Sequence, residues 1–270
     1  MKQRSVYLVF ALWVVCVLGL QAQADSTQSA SSDLANKIQN PIASLISVPF
    51  QNNLDFNTGP FERNRNTLNI QPVVPITLNE KLNLITRTIV PIISQPIGMD
   101  DRSSGIGDIS LSLFLTSAKP KKLITGYGLA LGLPTGKQSV GGLDKWTAGP
   151  SFVALTQQNG WTIGGLIQNS WDFAGSDDVV DNVNFFYSQI FVTKNLQNGW
   201  YVNSAPIITA NWEAPKDNKW TVPLGGGFGK LARLGKLPIN AQIGYYFNVI
   251  RPDFGATSQL RFQVAFLFPK

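Results

Sequence analysis

Apolar residues at every second position, in run after run of roughly ten to thirteen residues, constrain this chain more than any other feature. Such alternation turns one face of an extended strand apolar and the other polar. It is clearest in four places. Ile109, Leu111, Leu113 and Leu115 alternate with Ser110, Ser112 and Thr116, and Leu129, Leu131 and Leu133 with Gly128, Ala130 and Gly132. Leu237, Ile239, Ala241, Ile243, Tyr245 and Phe247 face away from Asn240, Gln242, Gly244 and Asn248. Leu260, Phe262, Val264, Phe266 and Phe268 face away from Arg261, Gln263 and Ala265.

About twelve runs of this kind occur, near 44–53, 65–77, 82–94, 106–117, 123–134, 147–157, 161–172, 183–194, 200–211, 219–230, 237–249 and 257–268. The connections between them alternate in length. Those at 78–81, 120–122, 158–160, 195–199 and 231–236 are short, while 57–64, 95–105, 135–146 and 173–182 are mostly longer and carry Gly, Asp and Asn. An even number of strands with tight turns at one end and long polar loops at the other predicts an all-β fold, an antiparallel transmembrane β-barrel. A secreted β-sandwich also shows short alternating strands, but does not require the loop lengths to alternate.

Tryptophan spacing separates the two. The tetrapeptide Gln-Asn-Gly-Trp occurs at 158–161 and again at 197–200, each time after a short turn. Trp161 is followed by Trp171 and Trp200 by Trp212, at even separations that place each pair on one face of its strand. At ~3.4 Å per residue and ~45° tilt these separations climb roughly 24–29 Å. An apolar barrel band about 25 Å tall with aromatic girdles at both borders accounts for that distance. Trp161, Trp171, Trp200 and Trp212 are therefore the expected membrane-interface aromatics. Proline is the main objection, since it lacks a ladder donor. Pro91, Pro134, Pro150, Pro206 and Pro223 fall toward the long-loop rim, where ladders end or bulge. Pro49 has no such explanation.

Residues 1–24 read as an export signal. Lys2 and Arg4 precede the apolar stretch Val6 to Leu20, and Ala22-Gln23-Ala24 supplies a small-x-small cleavage site. The stretch is short of the ~20 residues that span a bilayer, and no later segment holds 18 apolar residues in a row. Residues 25–45 then form a polar tail and a short amphipathic helical segment from Leu34, broken by Pro41, before the barrel of 46–270. These features place the mature chain in the outer membrane of a Gram-negative bacterium. Its expected partners are outer-membrane lipid and lipopolysaccharide, with the barrel assembly machinery during biogenesis.

The stretch Leu34 to Asn53, LANKIQNPIASLISVPFQNN, is similar to the opening of a Gram-negative outer-membrane family labelled MetA-pathway of phenol degradation, sometimes mislabelled neuromedin U. Further matches are LNIQPVVP from Leu68, SWDFAG from Ser170 and the ending FLFPK from Phe266. The resemblance covers most of the mature chain. It implies an outer-membrane barrel and passage of small molecules, aromatic or hydrophobic ones among them, and it carries over no catalytic residues. The final Phe268-Pro269-Lys270 departs from the terminal aromatic common in such barrels, although the alternating phenylalanines before it suit recognition by the assembly machinery.

Composition then limits the chemistry. The chain has no histidine, which removes Ser-His-Asp catalysis, imidazole metal sites and a histidine-based lipid hydrolase. Its one cysteine, Cys16, lies in the signal, and charged residues make up only 14%. The net charge of +6 has no basic cluster behind it, so a nucleic-acid partner is not expected. Gly225 to Lys230 resembles a phosphate loop but is one residue short, with Leu231 where Ser or Thr must hold magnesium. Asp100-Asp101 and Asp177-Asp178 with Asp181 lack calcium-loop spacing and read as loop acids. Lys119, Lys121 and Lys122 read as an exposed turn. No catalytic residue, metal site or cofactor is expected.

What remains is the lumen. A barrel of about twelve strands is wider than the filled eight-strand case and narrower than a porin, so a narrow pore is expected, one the 34–45 segment could plug. The inward faces should be Gly, Ser, Asn and Gln with few charges. Arg87 and Arg261 are the candidate mid-strand lumen cations, with Gln263 nearby. A channel for small molecules and a non-transporting structural or surface-binding barrel both fit.

Overall fold

A computed structural model of the chain describes residue 34 and residues 36–119 and 122–268. The signal sequence, the tail to residue 33, and the Pro120-Lys121 part of the lysine turn lie outside the described residues. Fifteen strand segments follow one another: β1 (Ile46–Thr58), β2 (Arg63–Ile70), β3 (Val73–Thr77), β4 (Leu82–Pro96), β5 (Arg102–Ile106), β6 (Ile109–Ser117), β7 (Leu123–Leu133) and β8 (Lys145–Gln158) in the first half. The second half holds β9 (Trp161–Gly175), β10 (Asn184–Asn195), β11 (Trp200–Ser204), β12 (Ile207–Asn211), β13 (Trp220–Leu234), β14 (Leu237–Ile250) and β15 (Ser258–Phe268). They form twelve staves, because β2 with β3, β5 with β6, and β11 with β12 each continue a single run. Every stave is antiparallel to the next, and β15 closes on β1 in unbroken register from Ile46↔Phe268 to Phe56↔Ser258. The ring has no free edge, which is what a sheet needs where no water can satisfy its margin.

Alternation sets the two faces. Tyr127, Leu129, Phe228, Phe247 and Phe262 stand outward and exposed, while their strand neighbours Ala130, Gly229, Tyr246 and Arg261 are buried inside. An outer surface this apolar is stable against lipid and would aggregate in water. Among the described residues no helix is long and apolar enough to cross a membrane, so the strands do the crossing.

The repeated Gln-Asn-Gly-Trp serves two different turns. At 158–161 Asn159 and Gly160 both take positive φ, 52° and 73°, and Gln158 pairs directly with Trp161. That is the two-residue turn whose twist matches the flanking strands. At 197–200 Asn198 and Gly199 adopt the same left-handed pair, but inside a longer connection that closes at Asn195↔Tyr201.

The prolines mark where staves break. Gln71-Pro72 separates β2 from β3, yet the register runs straight through, since Phe50 pairs with Ile70 and Ser47 with Val73. Pro49 therefore lies opposite this gap, and its carbonyl accepts the Gln71 N–H at 2.8 Å. Two residues without a donor share one interruption, which explains the position of Pro49. Pro91 faces the Gly107-Asp108 gap between β5 and β6, and Gly107 N–H donates to its carbonyl at 2.9 Å. Pro223 sits at a register shift in β13. Pro206 differs from expectation: with Ala205 it breaks its stave near mid-height, between β11 and β12, rather than at the rim.

The inner face also differs from expectation. Toward the short turns it is an apolar core, not a polar lining: Ile85, Phe114, Val153, Leu155, Leu166 and Phe191 point inward and pack around Ile42. Ala43 and Leu45 pack on Ala265 and Leu267, with Leu34 and Ile38 against them. Residues 34 and 36–45 thus lie inside the barrel, as a helical turn over 36–39 followed by an extended approach to β1. Polar contacts fix them as well. Thr162 donates to Gln39 Oε1 at 2.9 Å, Gln157 Nε2 to the Asn36 carbonyl at 2.7 Å, and Asn83 Nδ2 to Ser44 Oγ at 3.1 Å. Gln39 Nε2 also donates to Asn195.

Candidate functional site: the lumen

Between the inserted segment and the wall lies a cavity of about 190 Å³. Arg87, Arg261 and Gln263 all line it, so strand parity brought the three sequence candidates to one place. Gln71, Gln189, Gln242, Tyr201 and Asn203 share the wall, with Leu45, Leu166 and Phe191 as its apolar part.

Each arginine stands at a proline break. Where Ala205-Pro206 interrupts its stave, the Ala205 peptide loses its ladder partners, and side chains replace them. Arg261 Nη1 donates to the Ala205 carbonyl at 3.0 Å, and the Ala205 N–H donates to Tyr246 Oη at 3.3 Å. The guanidinium lies over the Tyr246 ring, 4.5 Å from its centroid, and also donates to Gln259 Oε1 at 3.0 and 3.3 Å. Gln259 passes the polarity on, donating to Asp55 Oδ1 at 2.8 Å. At the other break Arg87 Nη2 donates to Gln71 Oε1 at 2.8 Å. Sequence reading placed the arginines in the lumen but missed these partners. Parity alone could have put Tyr246 and Gln259 inside, since they alternate with Tyr245 and Leu260.

Tyr201 rests on Gly229, where any side chain would collide with its ring, and its hydroxyl lies 2.9 Å from Asn240 Oδ1 and 3.2 Å from Gln242 Oε1. The glycine run at 225–229 therefore makes room inside a strand; it is not a phosphate loop.

The four expected tryptophans are all on the outer face. Trp161 and Trp200 lie beside the short turns, each beneath a lysine of the neighbouring stave: Lys194 Nζ is 5.0 Å from the Trp161 ring and Lys230 Nζ 4.9 Å from Trp200. Such cations let an indole sit at the border with its charged neighbour in the headgroup region. Toward the long-loop end Trp212 packs edge-on against Trp220 at 5.3 Å, next to Phe186, and donates Nε1–H to Asn169 at 2.9 Å. Trp171 stands exposed on β9. Lys194, Lys230 and Trp220 are the contacts of these tryptophans that the sequence reading missed.

At the long-loop end the loop acids find a partner. Lys145 is buried at the start of β8, 3.8 Å from Asp172 and bonded to Asp177, with its Nζ donating to the Asp181 carbonyl at 3.1 Å. This holds the 176–183 loop to the rim, where Asp172 also accepts the Val183 N–H at 2.7 Å. The described residues contain no cluster of ligating side chains that could hold a metal ion.

The architecture is shared with known outer-membrane proteins. An outer membrane channel from Pseudomonas putida F1 superposes with a TM-score of 0.62 at 15% identity, over 83% of this chain and 94% of that one. The NanC porin superposes with a TM-score of 0.52 at 9% identity, over 83% of this chain and 100% of that one. At such identities the likeness is one of fold. Among curated proteins none matches the sequence. A family model matches residues 47–270, the whole of the barrel, and on that match the chain belongs to the MetA-pathway of phenol degradation family.

Proposed function

We propose that this barrel is an outer-membrane channel for small molecules, aromatic or hydrophobic ones among them, restricted by residues 34–45. The cavity of about 190 Å³ inside a closed twelve-stave wall carries the reading, because a purely structural barrel has no need of unfilled, polar-lined space at mid-height. Tyr201 and Phe191 line the cavity and give an aromatic solute rings to pack on, and the family's description names phenol degradation. An exported chain with a lipid-facing band and two tryptophan borders belongs in the outer membrane of a Gram-negative cell, in contact with phospholipid and lipopolysaccharide. We assign it no catalytic role, since a chain without histidine cannot build the Ser-His-Asp arrangement of a serine hydrolase. The apolar packing of Ile42 against Phe114, Val153 and Leu155 favours the second reading, a barrel that is closed and structural. Planar bilayers decide between them. The purified, folded protein is expected to give discrete conductance steps and to admit small aromatic solutes into liposomes. Neither signal, from the full chain or from a chain lacking residues 34–44, would leave the structural reading.

A further inference from the structure

The charges around the cavity all have one sign. Lys37, Arg87 and Arg261 line it, and no aspartate or glutamate does. Neither arginine makes an ion pair with a carboxylate among the described residues, where the salt bridges are those of Lys145. Arg87 uses one of its five N–H donors, on Gln71, and finds no other protein acceptor among the described residues. The remaining polar wall is mostly neutral amide, from Gln189, Gln242 and Gln263, while Leu45, Leu166 and Phe191 make one side apolar. Asn203 Oδ1 is buried on the same wall without a partner, and its amide turned over presents N–H donors instead.

Lys37 is exposed and Arg261 is linked to Asp55 through Gln259, whereas Arg87 has no carboxylate beside it among the described residues. A cation so placed in a low-dielectric wall attracts an anion more strongly than it would in water. A guanidinium with free N–H groups matches a carboxylate in particular. A cavity of about 150 Å³ accommodates benzene, so one of about 190 Å³ has room for a ring with one small polar substituent. From these observations we infer that the cavity is a binding site for a small organic monoanion, an aromatic carboxylate whose charged end meets Arg87 and whose ring lies against Phe191 and Leu166. The inference rests on the channel reading for its place in transport, but not for the binding itself.

Benzoate is the probe, with benzamide as its neutral counterpart of nearly the same shape. Calorimetry on the full-length protein in detergent is expected to show benzoate binding at least about tenfold tighter than benzamide, a difference of ~1.4 kcal/mol. Arg87→Gln should remove most of that preference while the protein still shifts on a heated gel. Arg87→Lys, which keeps the charge without the fork, should keep part of it. Equal binding of the two probes, no binding of either, or an unchanged preference in Arg87→Gln would overturn the assignment. Bilayer recordings separate this from the channel reading. Steady conductance without preference for benzoate over a matched organic cation removes the anion site alone, whereas benzoate binding with no conductance removes the channel alone.

Discussion

Deleting residues 34–44 is expected to raise single-channel conductance by roughly severalfold, because conduction is governed by the narrowest part of the path. The reason lies in what those residues occupy. Ile42, at 2% exposure, is packed among inward side chains of β4, β6, β8, β9 and β10, so it reaches most of one side of the barrel. Asn36 and Gln39 tie the helical turn to Gln157, Thr162 and Asn195. Removing the segment takes out the apolar bridge together with its polar anchors, and leaves the ring closed by β1 and β15 as before. Conversely, a disulfide between Ser44→Cys and Asn83→Cys, whose native side chains meet at 3.1 Å, should hold the segment in place and keep conductance low until a reductant is added. The only native cysteine, Cys16, lies within the expected signal, so the engineered pair has no competitor in the mature chain. Equal conductance of the shortened, oxidised and reduced proteins would show that residues 34–44 do not restrict the path.

The second large effect belongs to Arg261→Ala. Arg261 is 4% exposed, and its guanidinium supplies partners to the Ala205 carbonyl and to Gln259 Oε1 inside the lumen. Truncation leaves those acceptors short of donors, at about 1–3 kcal/mol for each buried group. Gln189 Nε2, 3.5 Å from the same carbonyl, compensates only in part. We expect a loss on the order of 3 kcal/mol, read as a lower temperature for the shift from folded to unfolded migration on a gel. Arg261→Lys should fall between, since an ammonium keeps the charge but cannot span Ala205 and Gln259 as a planar fork does. An Arg261→Ala protein as heat-resistant as the parent would mean that the break at Ala205-Pro206 needs no support from the lumen.

Much of this fold is legible in the sequence because a two-sided wall must alternate. The phenylalanines of 260–268, the leucines of 109–115 and the two tryptophan pairs all face lipid, since a side chain's face is set by parity alone. The same parity put Arg87, Arg261 and Gln263 inside. Alternation is blind to height, however. It could not say that the inner face becomes apolar below mid-barrel, because Ile85 and Ile89, or Leu155 and Phe191, look like ordinary members of strands apolar on both faces. Nor does parity record the hydrogen-bond partners across the ring. Pro49 looked out of place along one strand and became explicable only when β2 and β3 showed the matching gap at Gln71-Pro72. The end of β13 was set too early for a related reason. Leu231 to Leu234 reads as part of a turn, but the strand runs on to Leu234↔Leu237, so that Gly235 and Lys236 alone reverse the chain.

In a closed membrane barrel adjacent residues of one strand meet lipid and lumen in turn, and Phe262 and Gln263 offer the most direct measurement of this. Each is replaced by cysteine in a background without Cys16, and the protein is folded into liposomes. A fluorophore at 262 is expected to be quenched by brominated lipid chains and left alone by aqueous iodide. At 263 lipid quenching should be absent, and a small charged thiol reagent should react through the lumen. Lipid quenching of equal strength at both positions, or at neither, would contradict a closed barrel with an outer lipid face and an inner cavity.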